Sequence, residues 1–129
     1  MIIGCGVDIV YVKRFEKYVT NDNFIKRFFH PEEIQSIRIN NTIKKESLAA
    51  RFAAKEALGK ALGTGIGVLT LKDICVSKDE KGRPSMTVYN QVKQKLYESG
   101  ANKIHVSLSH DKDYTIAQVI LEKQENSHE

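Results

Sequence analysis

The sequence lacks an apolar run of the ~20 residues that a membrane-spanning helix requires. It has only two cysteines, Cys5 and Cys75, which are far apart and match no metal-ligand spacing. The first ten residues contain no basic segment, and Asp8 interrupts their apolar run, so we expect no signal peptide. Both cysteines lie in strand-like apolar patterns, which predicts free, buried thiols and a cytoplasmic protein.

Prolines are also scarce, and the chain shows no repeat, linker or domain boundary. Its 129 residues, of which 41% are hydrophobic and 28% charged, are typical of one ordinary globular domain. Twenty Lys and Arg residues against 16 Asp and Glu residues give a net charge of +4. This modest excess favours an anionic partner, but it does not choose among nucleic acid, membrane headgroups, phosphorylated cofactors and acidic proteins.

The longest helical pattern runs from Ser47 to Gly67 and predicts a buried helix that ends in a glycine-rich loop. Arg51 and Lys55 share a narrow arc of this helix that is predicted to reach water. Glu56 and Lys60 fall among alanines, where we expect little solvent. On an exposed helix such a Glu-to-Lys pair contributes only about 0.2–0.5 kcal/mol. Because no polar stripe surrounds the pair, a structural role and a functional role both remain open.

A short, apolar and β-branched segment from Ile2 to Val10 predicts a strand. Alternation places Gly4, Gly6 and Asp8 on one face of it. Aspartate is disfavoured in strands, and a glycine there often marks the close approach of another group. We therefore expect Asp8 to bind a ligand, the alternative being that it ends the strand and caps the next helix.

The other patterns predict short helices in the first half of the chain and strands mainly in the second. The helices are expected at 11–19, 24–29, 31–37 and 90–99, and the strands at 71–77, 84–88, 103–109 and 114–121. His105, Ser107 and Ser109 alternate along one strand, a pattern typical of a solvent face. Residues 123–129 are polar and expected to fray. The result is one α+β domain over residues 1–122.

Asp8 and Glu56 are both acids in apolar settings, and such a pair suits Mg²⁺. This ion takes oxygen ligands from one or two carboxylates, from water and from substrate phosphates. Lys60, one helical turn after Glu56, would neutralise phosphate oxygens or protonate a departing one. The residues alone therefore predict metal-assisted chemistry on a phosphate ester or anhydride, on the condition that the two carboxylates meet in the fold.

Three segments resemble the 4'-phosphopantetheinyl transferase family. They are Gly6-Val7-Asp8, then Arg51-Phe52-Ala53-Ala54-Lys55-Glu56-Ala57 with Lys60 four residues beyond Glu56, and finally Gly63-Thr64-Gly65. The chain length and the strand His105-Val106-Ser107 resemble the short subclass of that family, the holo-acyl-carrier-protein synthases. The match runs nearly end to end and is loose from residue 18 to residue 45.

This resemblance implies an antiparallel sheet packed against one long buried helix and shorter helices. It also implies transfer of 4'-phosphopantetheine from coenzyme A to a serine of an acyl carrier protein, in support of fatty acid biosynthesis, with release of adenosine 3',5'-bisphosphate. Asp8 and Glu56 would bind Mg²⁺ or, as a substitute, Mn²⁺, and Lys60 would assist the leaving phosphate. Coenzyme A would contact Lys55, Lys60, Gly63, Thr64, Gly65, His105 and Ser107, and the carrier protein would dock on Lys13, Arg14, Lys17 and Arg27.

Larger, two-repeat members of the family usually carry a second acid two residues after the aspartate. This chain has Val10 there, so two protein carboxylates and water would surround the metal. The short subclass forms trimers with active sites between subunits, which implies a homotrimer here.

Two other hypotheses compete with the transferase. One is a non-catalytic basic module that binds nucleic acid, although no aromatic–basic stacking motif favours it. The other treats Glu56 and Lys60 as a buried pair that only fixes packing. The resemblance implies neither nucleic acid nor a membrane as a partner.

Overall fold

The structure, a computed structural model, describes residues 1–125 and confirms the α+β class. Its strands are β1 (Ile2–Tyr11), β2 (Arg38–Ile39), β3 (Thr42–Ile43), β4 (Ile74–Lys78), β5 (Pro84–Val88), β6 (Lys103–Asp111) and β7 (Tyr114–Glu122). Its α-helices are α1 (Asp22–Phe28), α2 (Pro31–Ile37), α3 (Lys45–Leu62) and α4 (Asn90–Ser99). Short 3-10 turns lie at Val12–Phe15, Ile66–Val68 and Leu71–Asp73.

The main sheet has three antiparallel strands in the order β1-β7-β6. The register pairs Asp8 of β1 with Ala117 of β7, and Gly6 with Val119. Ala117 and Val119 are fully buried, because this inner face of the sheet packs against α3. The remaining strands form two separate hairpins, β2–β3 and β4–β5.

The long helix α3 crosses the inner face of β1 and β7. Leu48, Ala53 and Leu58 lie on different sides of the helix and are all fully buried, as expected for a helix that is apolar nearly all round. Gly63 ends the helix with a φ of 77°, a left-handed conformation that glycine adopts without a steric penalty. The predicted buried helix and its glycine cap are therefore confirmed.

The helix predicted over residues 11–19 is wrong, since only Val12–Phe15 forms a 3-10 turn there. Tyr11 belongs to β1 and pairs with Tyr114, and the Val12 N–H donates to the Asp113 carbonyl at 2.8 Å. These bonds keep the chain in the sheet where local periodicity favoured a helix. Phe15 is 1% exposed and anchors the turn in the core.

The start of α2 follows the expected local signals. Pro31 occupies its first position, and His30 before it accepts a hydrogen bond from the Glu32 N–H at 3.1 Å through Nδ1. Glu33 completes a capping box by accepting from the His30 N–H at 3.1 Å. The helix predicted at 31–37 is confirmed.

In the polar segment 123–129, which the sequence predicts to fray, the first two residues are hydrogen-bonded to the rest of the fold. The Lys123 N–H donates to the Met1 carbonyl, and the Gln124 N–H donates to Asn102 Oδ1, both at 2.8 Å. Residues 126–129 of that segment lie outside the described residues. Within residues 1–125, no helix has both the length and the apolar composition needed to cross a membrane.

Candidate active site

Two glycines bring β1 into direct contact with the backbone of α3. A Cβ atom added to Gly4 would overlap the carbonyl oxygen of Ala61, and one added to Gly6 would overlap that of Ala57. Only glycine therefore permits this approach of strand to helix. Asp8 follows Gly6 by two residues on the same face, so the contact carries its carboxylate to the turn of α3 that holds Glu56 and Lys60.

Lys60 bridges the two elements. Its Nζ donates to Asp8 Oδ1 at 3.1 Å and to the Val7 carbonyl at 3.0 Å. The Lys60 side chain is 53% exposed, whereas that of Asp8 is 16% exposed. The expectation that Lys60 sits away from solvent is therefore wrong. Among the described residues Lys60 forms its ion pair with the strand and not with Glu56 of its own helix.

Glu56 is half-buried beside Asp8. Burial raises the pKa of the Glu56 carboxyl above its ordinary value, and the nearby Asp8 carboxylate raises it further, while Lys60 and Arg14 act in the opposite direction. The structure thus brings Asp8, Glu56 and Lys60 together, which is the condition that the sequence analysis set for a metal site. Two carboxylates that repel each other present an oxygen-only donor set, which is the set that Mg²⁺ prefers.

Lys55 contradicts its predicted role as a coenzyme A contact. Its Nζ donates to Glu33 Oε1 at 2.7 Å, to the Phe28 carbonyl at 2.8 Å and to the Leu71 carbonyl at 3.0 Å. The side chain is fully buried and lies 4.5 Å from the centroid of the Phe29 ring. All three ammonium donors are therefore used inside the protein, and none can reach a ligand. Lys55 thus links α3 to Glu33 on α2 and to the backbone at Phe28 and Leu71.

Arg51 also lies inside the protein, so the solvent-facing arc predicted for it and Lys55 is wrong. It is 5% exposed, and its Nη1 donates to the Ser47 carbonyl at 3.3 Å. Its Nε has no hydrogen-bond partner among the described residues. A cavity of about 220 Å³ adjoins this side chain, and its other basic lining residues are Lys78, His110 and Lys112. An anion would satisfy the unpaired donor. No sequence pattern predicted this burial, since a helical wheel does not show what packs around α3.

The glycine loop after α3 is open but has its amides engaged. The N–H of Gly63 donates to the Lys60 carbonyl, and those of Thr64 and Gly65 donate to the Gly59 carbonyl. No neighbour lies within 4 Å of a Cβ atom placed on Gly63 or Gly65. A phosphate here would meet the Thr64 hydroxyl, which now donates to the Gly65 carbonyl at 3.1 Å. The coenzyme A contacts predicted for this loop stay a prediction.

His105 and Ser107 lie on the outer face of β6, exposed to solvent. His105 Nε2 lies 2.8 Å from Glu122 Oε1. Hydrogen bonding to this imidazole lowers the pKa of the Glu122 carboxyl. Because Asp8 points from the inner face of the same sheet toward α3, one chain does not bring His105 and Ser107 to the carboxylates.

A basic groove lies beside the 3-10 turn that follows β1. Its cavity measures about 470 Å³ and is lined by aromatic side chains with arginines among them: Phe15, Tyr18, Phe24, Phe28, Phe52, Arg14 and Arg27. Arg27 lies over the Phe28 ring at 5.1 Å, and Lys17 lies over the Tyr18 ring at 5.1 Å. Lys13 is exposed nearby on the same 3-10 turn as Arg14. Arg14, which lines this groove, also acts electrostatically on Glu56.

The segments that carry Asp8 and Glu56 both lie within a region that matches a known protein family. Residues 4–119 match the model of the 4'-phosphopantetheinyl transferase superfamily. The chain belongs to this superfamily. Within it, a relative from Treponema denticola named holo-[acyl-carrier-protein] synthase is 46% identical over 122 residues, covering 95% of this chain and 99% of the relative. The matched residues of this transferase include both carboxylates, Lys60 and the sheet.

Solved structures of holo-acyl-carrier-protein synthases share the transferase fold seen here. The Plasmodium yoelii enzyme gives a TM-score of 0.82 at 35% identity and covers 97% of this chain and 98% of that one. The Helicobacter pylori enzyme, solved in complex with coenzyme A, gives a TM-score of 0.77 at 36% identity and covers 92% of this chain and 99% of that one. These likenesses confirm the predicted fold and place the chain among the holo-acyl-carrier-protein synthases.

Proposed function

We propose that this protein transfers 4'-phosphopantetheine from coenzyme A to a serine hydroxyl of an apo-acyl carrier protein, in support of fatty acid biosynthesis. The serine oxygen forms a new bond to the phosphorus next to pantetheine, and the pyrophosphate bond breaks to release adenosine 3',5'-bisphosphate. The observation that carries the proposal is the meeting of Asp8 and Glu56 across the β1–α3 contact, with Lys60 bonded to Asp8. The domain that would carry this activity spans residues 1–122.

Asp8 and Glu56 are the residues that would hold Mg²⁺. Their donor set is all oxygen, and their mutual repulsion is the kind that a bound cation relieves. Mn²⁺, which takes the same ligands, is the expected substitute. When bound, the ion supplies Lewis-acid stabilisation of charge on the pyrophosphate oxygens.

Lys60 has the position of a group that meets developing negative charge. Its ammonium is half-exposed and is held by Asp8 Oδ1 and the Val7 carbonyl. A third donor remains for a phosphate oxygen of the substrate. Because the charge on the leaving phosphate grows as the anhydride breaks, this contact would strengthen in the transition state.

The groove beside Arg14 has the features of a carrier-protein dock. Its aromatic floor supplies apolar contact area, while Lys13, Arg14, Lys17 and Arg27 supply positive charge. This arrangement complements an acidic partner. Because Arg14 also acts electrostatically on Glu56, a carrier bound in the groove would have its serine near the carboxylates.

A homotrimer would account for the outer face of the main sheet. Val7, Ile9 and Tyr11 on β1 and Tyr114 and Ile116 on β7 are between 39% and 58% exposed. Five such side chains on two neighbouring strands form an apolar surface of the kind that marks an interface. His105 and Ser107 lie on this same outer face, so they would lie at the subunit interface, where a coenzyme A site between subunits would form.

The reaction is tested by mixing the protein with coenzyme A, Mg²⁺ and an apo-acyl carrier protein, and then weighing the carrier by intact mass spectrometry. We expect a gain of one phosphopantetheine unit that disappears when EDTA removes the metal. Unchanged mass with several carriers, from folded protein in excess Mg²⁺, would contradict the proposal. A carrier with its acceptor serine changed to alanine is the control for non-specific modification.

A further inference from the structure

A second group of metal-ligating side chains lies at the start of α2 and does not belong to the carboxylate site. His30, Glu32 and Cys75 each offer one ligand atom, and these atoms all lie within 4.8 Å of one another. We propose that these three residues bind a borderline-soft divalent transition metal, for which Zn²⁺ is the best match. The site is distinct from the Asp8–Glu56 pair in both position and chemistry.

The fold holds the three residues on rigid elements. His30 and Glu32 flank Pro31, the first residue of α2, and Cys75 lies within β4. The Glu33 side chain ties these elements together, since its Oε2 accepts from the Val76 N–H at 2.9 Å. The Lys55–Glu33 ion pair then fixes both elements to α3. Ligands that are held in this way lose little freedom when a metal binds.

Within the described part of the chain, the Cys75 thiol has no bond that a metal would have to displace. It is 6% exposed and takes part in no hydrogen bond among residues 1–125. Burial raises the pKa of this thiol, and the carboxylates of Glu33 and Glu32 raise it further. Without a metal it therefore stays neutral beside an imidazole and a carboxylate. A divalent cation would replace the thiol proton and would compensate the charge of Glu32.

His30 already uses one of its ring nitrogens. Its Nδ1 accepts the Glu32 N–H, which places the proton of the neutral ring on Nε2, and the ring stacks on Tyr89 with centroids 4.9 Å apart. A metal needs a ring lone pair. Binding at Nδ1 replaces this capping bond, and binding at Nε2 moves the ring proton to Nδ1, which then cannot accept from the Glu32 N–H, so either mode removes the bond. The other half of the capping box, from the His30 N–H to Glu33, is not affected. Metal binding is thus coupled to the first turn of α2.

The mixture of ligand types selects the class of metal. A thiolate, an imidazole and a carboxylate together match Zn²⁺, and three protein ligands leave the fourth tetrahedral position for water. Mg²⁺ takes oxygen ligands and would not compete for the sulfur. The chain would therefore hold two cations of different classes, Mg²⁺ at Asp8 and Glu56 and Zn²⁺ at Cys75. Glu32 is exposed, which leaves a path for the ion from solvent.

The test uses Co²⁺, which substitutes for Zn²⁺ and gives a near-ultraviolet charge-transfer band when a thiolate binds it. The full-length protein is titrated with Co²⁺ in a large excess of Mg²⁺ and under reducing conditions. We expect one band-forming Co²⁺ per chain, which is displaced by added Zn²⁺. Cys5, the other free cysteine, is exposed and provides the matched control: Cys5→Ser keeps the band, and Cys75→Ser abolishes it.

Two further variants keep the test decisive if Cys75→Ser folds poorly. Glu32→Gln removes an exposed ligand, and His30→Asn retains an oxygen that can cap α2 while it removes the imidazole. Each should weaken Co²⁺ binding at least about tenfold, because even residues that only orient metal ligands contribute that much. The proposal is overturned if the folded wild-type protein shows no band. It is also overturned if the band follows Cys5, or if Glu32→Gln and His30→Asn both bind Co²⁺ like the wild type.

Discussion

Lys55 and Lys60 lie five residues apart on one helix, but Lys55 has a structural role and Lys60 a proposed catalytic role. They therefore form a matched pair for mutation. Lys55→Met leaves Glu33 buried without a cation, so we expect a loss of about 3–5 kcal/mol in the free energy of unfolding. Lys60→Met removes an exposed ion pair and should change stability by less than about 1 kcal/mol. Chemical denaturation of both variants measures these differences.

In activity, the folded Lys60→Met variant should be impaired more than the folded Lys55→Met variant. Lys60→Met should lower kcat by about 10²–10³, the usual effect of removing one donor to transition-state charge. Equal destabilisation by both variants, with full activity in folded Lys60→Met, would instead support a purely structural role for Lys60.

Glu56 should lower the stability of the metal-free fold. Its pKa is raised in the folded protein, so the folded state binds this proton more tightly than the unfolded chain. Its contribution to the free energy of unfolding therefore falls as pH rises from the ordinary carboxyl pKa through the raised one. In EDTA at pH 7, Glu56→Gln should be at least as stable as the wild type, and this advantage should vanish near pH 4.

Thermal unfolding at the two pH values measures this effect. Glu46→Gln is the control on the same helix, because a backbone hydrogen bond lowers the pKa of Glu46 and its removal should act in the opposite direction. If Glu56→Gln were clearly less stable than the wild type at pH 7, Glu56 would be a packing residue, as the structural hypothesis holds.

At the scale of elements, the contact between β1 and α3 sets the distance between the two carboxylates. Gly6→Ala would push a methyl group into the Ala57 carbonyl. We expect a cost of about 1–3 kcal/mol in stability, as for other overpacked sites, together with a loss of transfer activity. Gly67→Ala is the control, because no atom lies within 4 Å of its added Cβ. Wild-type activity in Gly6→Ala would show that the site does not depend on this contact.

Local patterns were sufficient to predict the elements that form the carboxylate site. The glycine face of β1, the buried α3 and the cap at Gly63 each leave a periodic or conformational signal, and all three are confirmed. Only the family resemblance implied that Asp8 and Glu56 lie near each other, because neither segment contains information about the position of the other.

The failures have one physical cause, which is contact between residues that are distant in sequence. A helical wheel places Lys55 relative to α3 alone, whereas its partner Glu33 lies on α2. In the same way His30, Glu32 and Cys75 match no metal-ligand spacing, and only the docking of α2 on β4 joins them. The helix expected over residues 11–19 does not form because Tyr11 pairs with β7 in the sheet.

At the scale of the whole molecule, the apolar outer face of the sheet should control assembly. Ile9→Lys places a charge on that face and should convert a trimer into monomers while the fold is retained. Ile39 is a matched control, because it is 60% exposed compared with 58% for Ile9 and lies on β2, outside the main sheet. Light scattering after gel filtration gives the masses. A monomeric wild-type protein, or a trimeric Ile9→Lys variant, would contradict the proposed interface.

The measurement that tests the account most directly is the initial rate of carrier modification as a function of free Mg²⁺, for the wild type and for Asp8→Asn. Asp8→Asn keeps the shape of the side chain and removes its charge. We expect the wild-type rate to rise from zero in EDTA to saturation. We expect Asp8→Asn, folded by circular dichroism, to be slower by at least about 10² at any Mg²⁺ concentration. A folded Asp8→Asn variant with the wild-type rate and Mg²⁺ dependence would contradict the assignment of Asp8 and Glu56 as the metal site.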